Sequence, residues 1–492
     1  MKAGPALLLL LLVFVPSLAI RLHPVRSESF QHDAITSQMA ARAGITANAW
    51  DTPETFQHRR FHPPLLSYVI IANNRIFGDD PFRARVFSII AGALTCLAVA
   101  FTVQRVTGGG RSGTFGGFIA GWLLALLPVH LYVSRTANWD ALYSLFSACS
   151  LLLLAAHVAS RGFGRLAWAG VFGALSFLTS ELGLSLLPAF AAVLIYDLRR
   201  DPPRATMRRW LATLALAAVV ITALWPAGVV KLDLLRSLRF RLIDSAALER
   251  NRPWHGFYTT LFEQAPWYTA AAALGALAAL RLAVRRRPDA NGGRSAYHLP
   301  AALLPFAVYA LTVVVISTRQ RLVYVHHIAD LFPALTVVAM SAFVVASRMM
   351  SPLVRKAGAI LALVVVALCA LSAANPDPDV VGPQEHPGYL GVRDFLQQRA
   401  GARTYYYYTY AMQYYLPTAI VGGGTERYWT REKLQMLKNG NFDFIVCDWS
   451  MFDPAYPTVE AVADGLAPEF EVKHIVLHHR TGNPVAWVFG KP

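Results

Sequence analysis

Long apolar runs recur along most of this chain, and they constrain its fold more than any motif does. A helix needs roughly 20 apolar residues to cross a bilayer, and about eleven segments meet that need. They are Pro5–Leu22, Arg83–Val106, Phe115–Val133, Asp140–Ala159, Arg165–Ser180, Gly183–Leu198, Trp210–Val230, Pro266–Val284, Leu299–Ser317, Ile328–Arg348 and Val354–Ala374. Charged residues make up only 15% of the chain, against about 25% in soluble proteins, and the deficit lies in these runs. The pattern predicts an α-helical polytopic membrane protein of about eleven spans. Lys2 and the run Ala6–Val15 would also suit a cleaved signal peptide, but "PSLAIRLHP" offers no clean small-x-small site, which favours a retained helix.

A net charge of +16 suits a nucleic-acid binder, but the basic residues sit beside apolar spans rather than on one soluble face. Nucleic acid is therefore excluded as a partner, and membrane lipid is expected. With the N-terminus cytoplasmic, the inner loops hold Arg105/Arg111, Arg161/Arg165, Arg199–Arg209, Arg281–Arg287 and Arg348–Lys356, as the positive-inside bias requires. The outer loops are then residues 22–82, 134–139, 231–265 and 318–327, and the C-terminal tail is extracytoplasmic. The two long ones are themselves rich in arginine: Arg21, Arg26, Arg42, Arg59, Arg60 and Arg75 in the first, Arg236, Arg239, Arg241, Arg250 and Arg252 in the second. An anionic ligand at the outer leaflet would account for cations there. The four cysteines have no metal or disulfide spacing.

The sequence divides into a membrane domain, residues 1–374, and an extracytoplasmic α/β domain, residues 375–492, joined at "ANPDPDVVGPQEHPG". Within the first outer loop, Ala34–Ala43 and Pro64–Phe77 have one apolar face and suit helices lying at the interface, as does Leu234–Leu248 in the second. In the tail, helices are expected at Tyr389–Ala400, Met412–Leu416, Arg431–Asn439 and Thr458–Leu466. Strands are expected at Arg403–Tyr408, Ala419–Val421, Phe442–Cys447, Phe470–His478 and Val485–Phe489.

Several motifs sit at the outer ends of the spans. In "SESFQHDAITSQMAARAG", Asp33 either caps the helix that follows or, partly buried, serves as general base for a hydroxyl. "HRRFHPPL" sets His62 before a Pro-Pro helix start. "GDDPFRAR" brings Arg85 to the second span, where lipid-headgroup snorkelling is the plain alternative. Arg135 and Asp140 bracket the entry to the fourth span, where a carboxylate also favours the helix dipole. "RPWHGFY" offers His255, and "STRQRLVYVHHIADLFPAL" offers Arg319, Arg321 and Tyr324; Trp and Tyr there also suit an interfacial belt.

Taken in series, these segments resemble the glycosyltransferase C superfamily, in the branch of protein O-mannosyltransferases and lipid A aminoarabinose transferases. That branch shows an acidic pair after the first span, a basic residue with Pro-Pro-Leu, a Gly/Pro-Phe/Arg run into the second span and an Arg…Asp pair opening the fourth. The matching residues here are Asp33, His62–Leu65, Gly78–Arg85, and Arg135 with Asp140; the resemblance covers roughly the first 345 residues, in order and spacing. It implies an inverting transfer of a sugar from a polyprenyl-phosphate donor to a hydroxyl of a protein, lipid or glycan, at the outer face of the plasma (inner) membrane. Asp33 and Asp140 would be the catalytic carboxylates. His62, Arg85, Arg319, Arg321, Tyr324 and His255 would bind the donor. No cofactor is implied beyond a possible divalent cation between Asp33 and Asp140. Two departures stand out: Ala34 replaces the second acid, and Ser180-Glu181 stand where relatives present Lys-Gly. The rival from another class is a transporter or lipid flippase, which would place ionisable groups near midplane on broken helices.

Overall fold

A computed structural model describes residues 7–22, 32–42, 44–51, 63–78, 83–137, 139–233, 235, 299–319, 329–348, 351–374, 388–399, 401–406, 416, 420–422, 429–448, 456, 458–477 and 483–492. These fall into two compact units, one of Met1–Val25 and Ala40–Gly382, the other of Arg26–Met39 and Pro383–Pro492.

Ten of the eleven expected spans fall on helices, and Pro266–Val284 lies outside the described residues. The helices are α1 (Leu7–Leu22), α2 (His32–Arg42), α3 (Leu65–Phe77), α4 (Val86–Val106, led in by a 3₁₀ turn, Arg83–Arg85) and α5 (Gly110–Leu126). There follow α6 (Pro128–Arg135), α7 (Trp139–Ser160), α8 (Phe163–Thr179), α9 (Leu187–Leu198, after a 3₁₀ turn, Glu181–Leu186) and α10 (Pro203–Leu224). After the gap come α11 (Leu299–Arg319), α12 (Leu331–Arg348) and α13 (Pro352–Ala374). By length and composition, 7 helices among the described residues can cross a membrane, or 8 counting one bent pair.

Helix α4 is the most enclosed span. Two of its interior hydroxyls bond one turn back, Thr95 to Ala91 O at 2.8 Å and Thr102 to Ala98 O at 2.7 Å, so neither needs a partner outside the helix. Its start is capped from a distance: Asn73 on α3 accepts from Phe87 N at 3.2 Å and donates to Arg83 O at 3.0 Å. At the far end, Gly108, Gly109 and Gly110 all take positive φ, which lets α5 fold back after three residues. Glycines then let α5 pack closely: a Cβ at Gly117 would lie 2.5 Å from Ala100 O, and one at Gly121 2.5 Å from Val13.

Two proline effects depart from a reading of straight spans. Phe115–Val133, expected as one helix, is broken between α5 and α6 with a 65° bend. Pro128 keeps Leu127 extended, with ψ 119°, and so ends the first helix. In α1, Pro16 cannot bond the carbonyl of Leu12, and a π-helical stretch, Leu10–Phe14, precedes it. Trp122 Nε1 donates to that carbonyl instead, at 2.9 Å. Helices α10 and α13 leave most of their apolar surface bare, including Leu211, Leu214, Leu353 and Leu361. Water does not tolerate such faces, whereas a bilayer does. The chain is a multi-pass membrane protein.

The second unit contains α14 (Gly388–Gln397), β1 (Arg403–Tyr405), β2 (Ile420–Gly422), α15 (Arg431–Asn439), β3 (Phe444–Asp448), α16 (Val459–Leu466), β4 (Glu471–Leu477) and β5 (Pro484–Gly490). The strands form one sheet in the order β2-β1-β3-β5-β4, parallel from β2 to β3 and antiparallel beyond. Helices α15 and α16 open on threonine caps, Thr430 accepting from Lys433 N at 3.2 Å and Thr458 from Ala461 N at 3.3 Å. Tyr405, Trp429, Leu434, Ile445, Val462 and Phe489 share its core. The expected helix Met412–Leu416 falls outside the described residues apart from Leu416.

Candidate active site

Consecutive spans joined by short turns run in alternating directions, so the starts of α4, α7 and α9 lie at one end of the bundle. That end gathers buried ionisable groups. Arg85 closes the 3₁₀ turn before α4 and is buried. Asp140, only 2% exposed, is the second residue of α7, where the helix N-terminus stabilises a carboxylate. Ser180 caps the 3₁₀ turn before α9, accepting from Leu182 N at 3.3 Å, and Glu181 beside it is buried. A Cβ at Gly183 would come within 2.4 Å of Phe177 N, which holds this turn tightly against α8.

One turn into α7, on the face of Asp140, Tyr143 Oη donates to Asp330 Oδ2 at 2.7 Å. Tyr309 Oη of α11 donates to the same oxygen at 3.0 Å, and Ser185 Oγ lies 3.1 Å from Tyr143 Oη. Asp330 immediately precedes α12, where a carboxylate suits the helix N-terminus. Trp139 packs edge-on against Tyr143 with ring centroids 6.3 Å apart. Sequence reasoning passed over Asp330 and both tyrosines. The only available signal was an acid just before an apolar run, in "HHIADLFPAL".

A second cluster lies deeper. The reading of Arg21 as a residue of the outer loop is wrong: it belongs to the last turn of α1 and is 0% exposed. Its Nη1 donates to Ser17 O at 3.1 Å, and its Nη2 lies 2.8 Å from His130 Nδ1 and 3.5 Å from Cys96 Sγ. One loop cation among several in sequence, it is drawn inward because these neutral acceptors line the space between α1, α4 and α6. Arg135, at the end of α6, donates to Ile20 O at 2.7 Å and ties the same helices together.

The other sequence-selected residues are placed as follows. Asp33 is the second residue of α2, inside the helix rather than at its cap position. It groups with the second unit, and Asp140 with the bundle. Arg319 ends α11. His62, His255, Arg321 and Tyr324 lie outside the described residues. Among the described residues no three His, Cys, Asp or Glu side chains are grouped to hold a metal ion.

Residues 61–225, from before α3 to the end of α10, match the family described as dolichyl-phosphate-mannose-protein mannosyltransferase. Among solved structures, ArnT from Cupriavidus metallidurans bound to undecaprenyl phosphate superposes with a TM-score of 0.60. The match is 16% identical and covers 99% of this chain and 98% of that one. The fold is that of the glycosyltransferase C superfamily. The apo form of the same ArnT matches with a TM-score of 0.60 and 16% identity over 97% of each chain. The Saccharomyces cerevisiae Pmt1–Pmt2 complex bound to the sugar donor aligns over 45% of this chain and 32% of its own, at 19% identity and a TM-score of 0.36. No curated protein sequence gives a significant match. Within this glycosyltransferase C fold, the family-matched segment holds Arg85, Arg135 and Asp140, whereas Tyr309 and Asp330 lie beyond it.

Proposed function

We propose that this chain is an inverting glycosyltransferase that moves a hexose or pentose from a polyprenyl-phosphate donor to a hydroxyl of a protein, lipid or glycan. The observation that carries this reading is the buried carboxylate of Asp140 at the bundle end that also buries Arg85, in a fold matching, over nearly its whole length, a structure bound to undecaprenyl phosphate. In the proposed reaction the acceptor oxygen bonds to the anomeric carbon as the bond from that carbon to the phosphate oxygen breaks. Asp33 takes the acceptor proton, and Asp140 serves as the second catalytic carboxylate. The electron pair leaves on the phosphate, where Arg85, with His62, His255, Arg319, Arg321 and Tyr324, stabilises it by charge-assisted hydrogen bonds. A divalent cation at the phosphate would add to that stabilisation. The reaction face is the extracytoplasmic side of the inner membrane, with the N-terminus cytoplasmic and the tail on the reaction side. The tail's role in shaping or recruiting the acceptor belongs to this proposal.

Release of polyprenyl phosphate from undecaprenyl-phosphate pentose and hexose donors, with purified protein in lipid, tests the reading. Asp33→Asn and Asp140→Asn should each lower release by about 10²-fold or more. Release unaffected by both substitutions would remove the carboxylates from the mechanism.

One observation favours the transporter reading: the broken α5–α6 pair, with Arg21 and His130 buried beside the break. Movement of undecaprenyl-phosphate sugars across sealed vesicles, without release of polyprenyl phosphate, would establish that alternative.

A further inference from the structure

The arginines at the end of the bundle opposite Asp140 divide into two sets. In the first, Arg161 and Arg209 share Asp201, Arg165 donates to Ala156 O at 3.1 Å, and Arg348 donates to Thr107 O at 2.6 Å. The second set, Arg199, Arg200, Arg204 and Arg208, lies at the turn from α9 into α10 and is exposed. Among the described residues no carboxylate pairs with any of these four. Arg200 rests over Tyr196, 4.7 Å from the ring centroid. Four guanidinium groups thus crowd a short stretch whose one acid, Asp201, is already shared by two other arginines.

The start of α10 makes this crowding costly. The helix has 22 residues, begins on Pro203 and has no acid in its first turn, and Pro202 before it supplies no side-chain cap. A helix N-terminus favours anions and disfavours cations, yet Arg204 stands in the first turn and Arg208 one turn further on. Like charges at that spacing also repel each other. A phosphate shared by the two guanidinium groups and the first free N–H groups would relieve both costs. Side chains lean towards the N-terminus of their helix, so these arginines reach towards the membrane surface. Arg204, Arg208 and Leu211 follow one stripe at spacings of four and three, with Met207 and Leu214 beside it, and all five are exposed. Cations above bare leucine match a phospholipid, with its phosphate above its acyl chains. We propose that the start of α10, through Arg204 and Arg208, is a site for an anionic bilayer phospholipid of the cardiolipin type, whose two phosphates answer two of the four cations. Because it lies at the end opposite Asp140, this site is separate from the one proposed for the donor.

Tetraoleoyl cardiolipin is the probe, titrated into the purified full chain in detergent and read by native mass spectrometry. Dioleoyl phosphatidylcholine, which carries no net charge, is the comparison. Arg204→Gln/Arg208→Gln should weaken cardiolipin binding about 30-fold, the contribution of two arginines near a membrane surface, and leave phosphatidylcholine binding unchanged. Arg208→Gln alone spares the first turn and should weaken binding about fivefold. It serves as the second variant should the double substitution fail to fold. Arg111→Gln/Lys356→Gln removes the same charge from exposed positions on α5 and α13 at the same end of the bundle, and should leave binding within about twofold of the wild type. An equal loss in that control would overturn the inference by reducing the effect to net charge. Wild-type affinity in the folded α10 variants would also overturn it. A parallel loss of phosphatidylcholine would do the same, by assigning the effect to the apolar face. So would a wild type with no preference for cardiolipin over phosphatidylcholine.

Discussion

His157 Nε2 lies 2.9 Å from Asp197 Oδ2, with both side chains buried between the ends of α7 and α9. Trp210 Nε1 donates to the same oxygen at 3.1 Å, which brings α10 into the network. Asp201 nearby pairs with Arg161 and, at 2.7 Å, with Arg209. This end of the bundle is thus tied by polar side chains as well as by the packing of Trp210 with Val158, Leu166 and Val193. Asp197→Ala strands two buried donors and should cost about 1–3 kcal/mol. Thermal unfolding in detergent, followed by fluorescence and size exclusion, measures it. An unchanged midpoint would mean the network is not a structural support.

The glycines of the bundle divide sharply by what surrounds them. At Gly117 an added Cβ would lie 2.5 Å from the backbone oxygen of Ala100, which cannot rotate away. At Gly164, in the first turn of α8, it would meet nothing within 4 Å. Gly117→Ala should therefore destabilise by about 1–3 kcal/mol through overpacking. Gly164→Ala should stabilise by about 0.5–1 kcal/mol, by limiting the unfolded chain. The two thermal midpoints should move in opposite directions, and a shared sign would refute the α4–α5 packing.

Cys447, the fourth residue of β3, is buried, and its thiol is pushed well above the ordinary range. Burial is the main cause, and the neighbouring charge of Asp448 adds to it. The thiolate is the nucleophile, so the folded domain should resist iodoacetamide at this position at pH 8. Peptide mass spectrometry before and after denaturation reads the outcome. Rapid labelling in the native protein would contradict the packing of the sheet on α15 and α16.

The elements that sequence placed best are those defined by their own residues. Arg83–Val106 and Arg431–Asn439 have the expected boundaries, because apolar length in one and a Thr cap with amphipathic spacing in the other are local properties. Strand β5, expected at Val485–Phe489, is observed at Pro484–Gly490. What sequence did not yield depends on partners far along the chain. Asp330 meets a tyrosine 187 residues away, and Arg21 a histidine 109 away. Nothing in the run around Arg21 distinguishes a cation facing a headgroup from one drawn inward to neutral acceptors. The α5–α6 break was visible as Pro128, but hydropathy averages across a single proline and reports one span.

The bond from Trp122 to Leu12 spans 110 residues, and it carries a consequence for how the molecule is made. Synthesis at about 5–20 residues per second separates the two partners by roughly 5–20 s. During that interval α1 is already formed, with a carbonyl that its own Pro16 leaves unanswered. Helix α1 therefore precedes, in synthesis, the indole of α5 that its Leu12 carbonyl bonds. Trp122→Phe, which removes the donor and keeps an aromatic ring, should loosen the pairing of α1 with α5 while sparing the helices themselves.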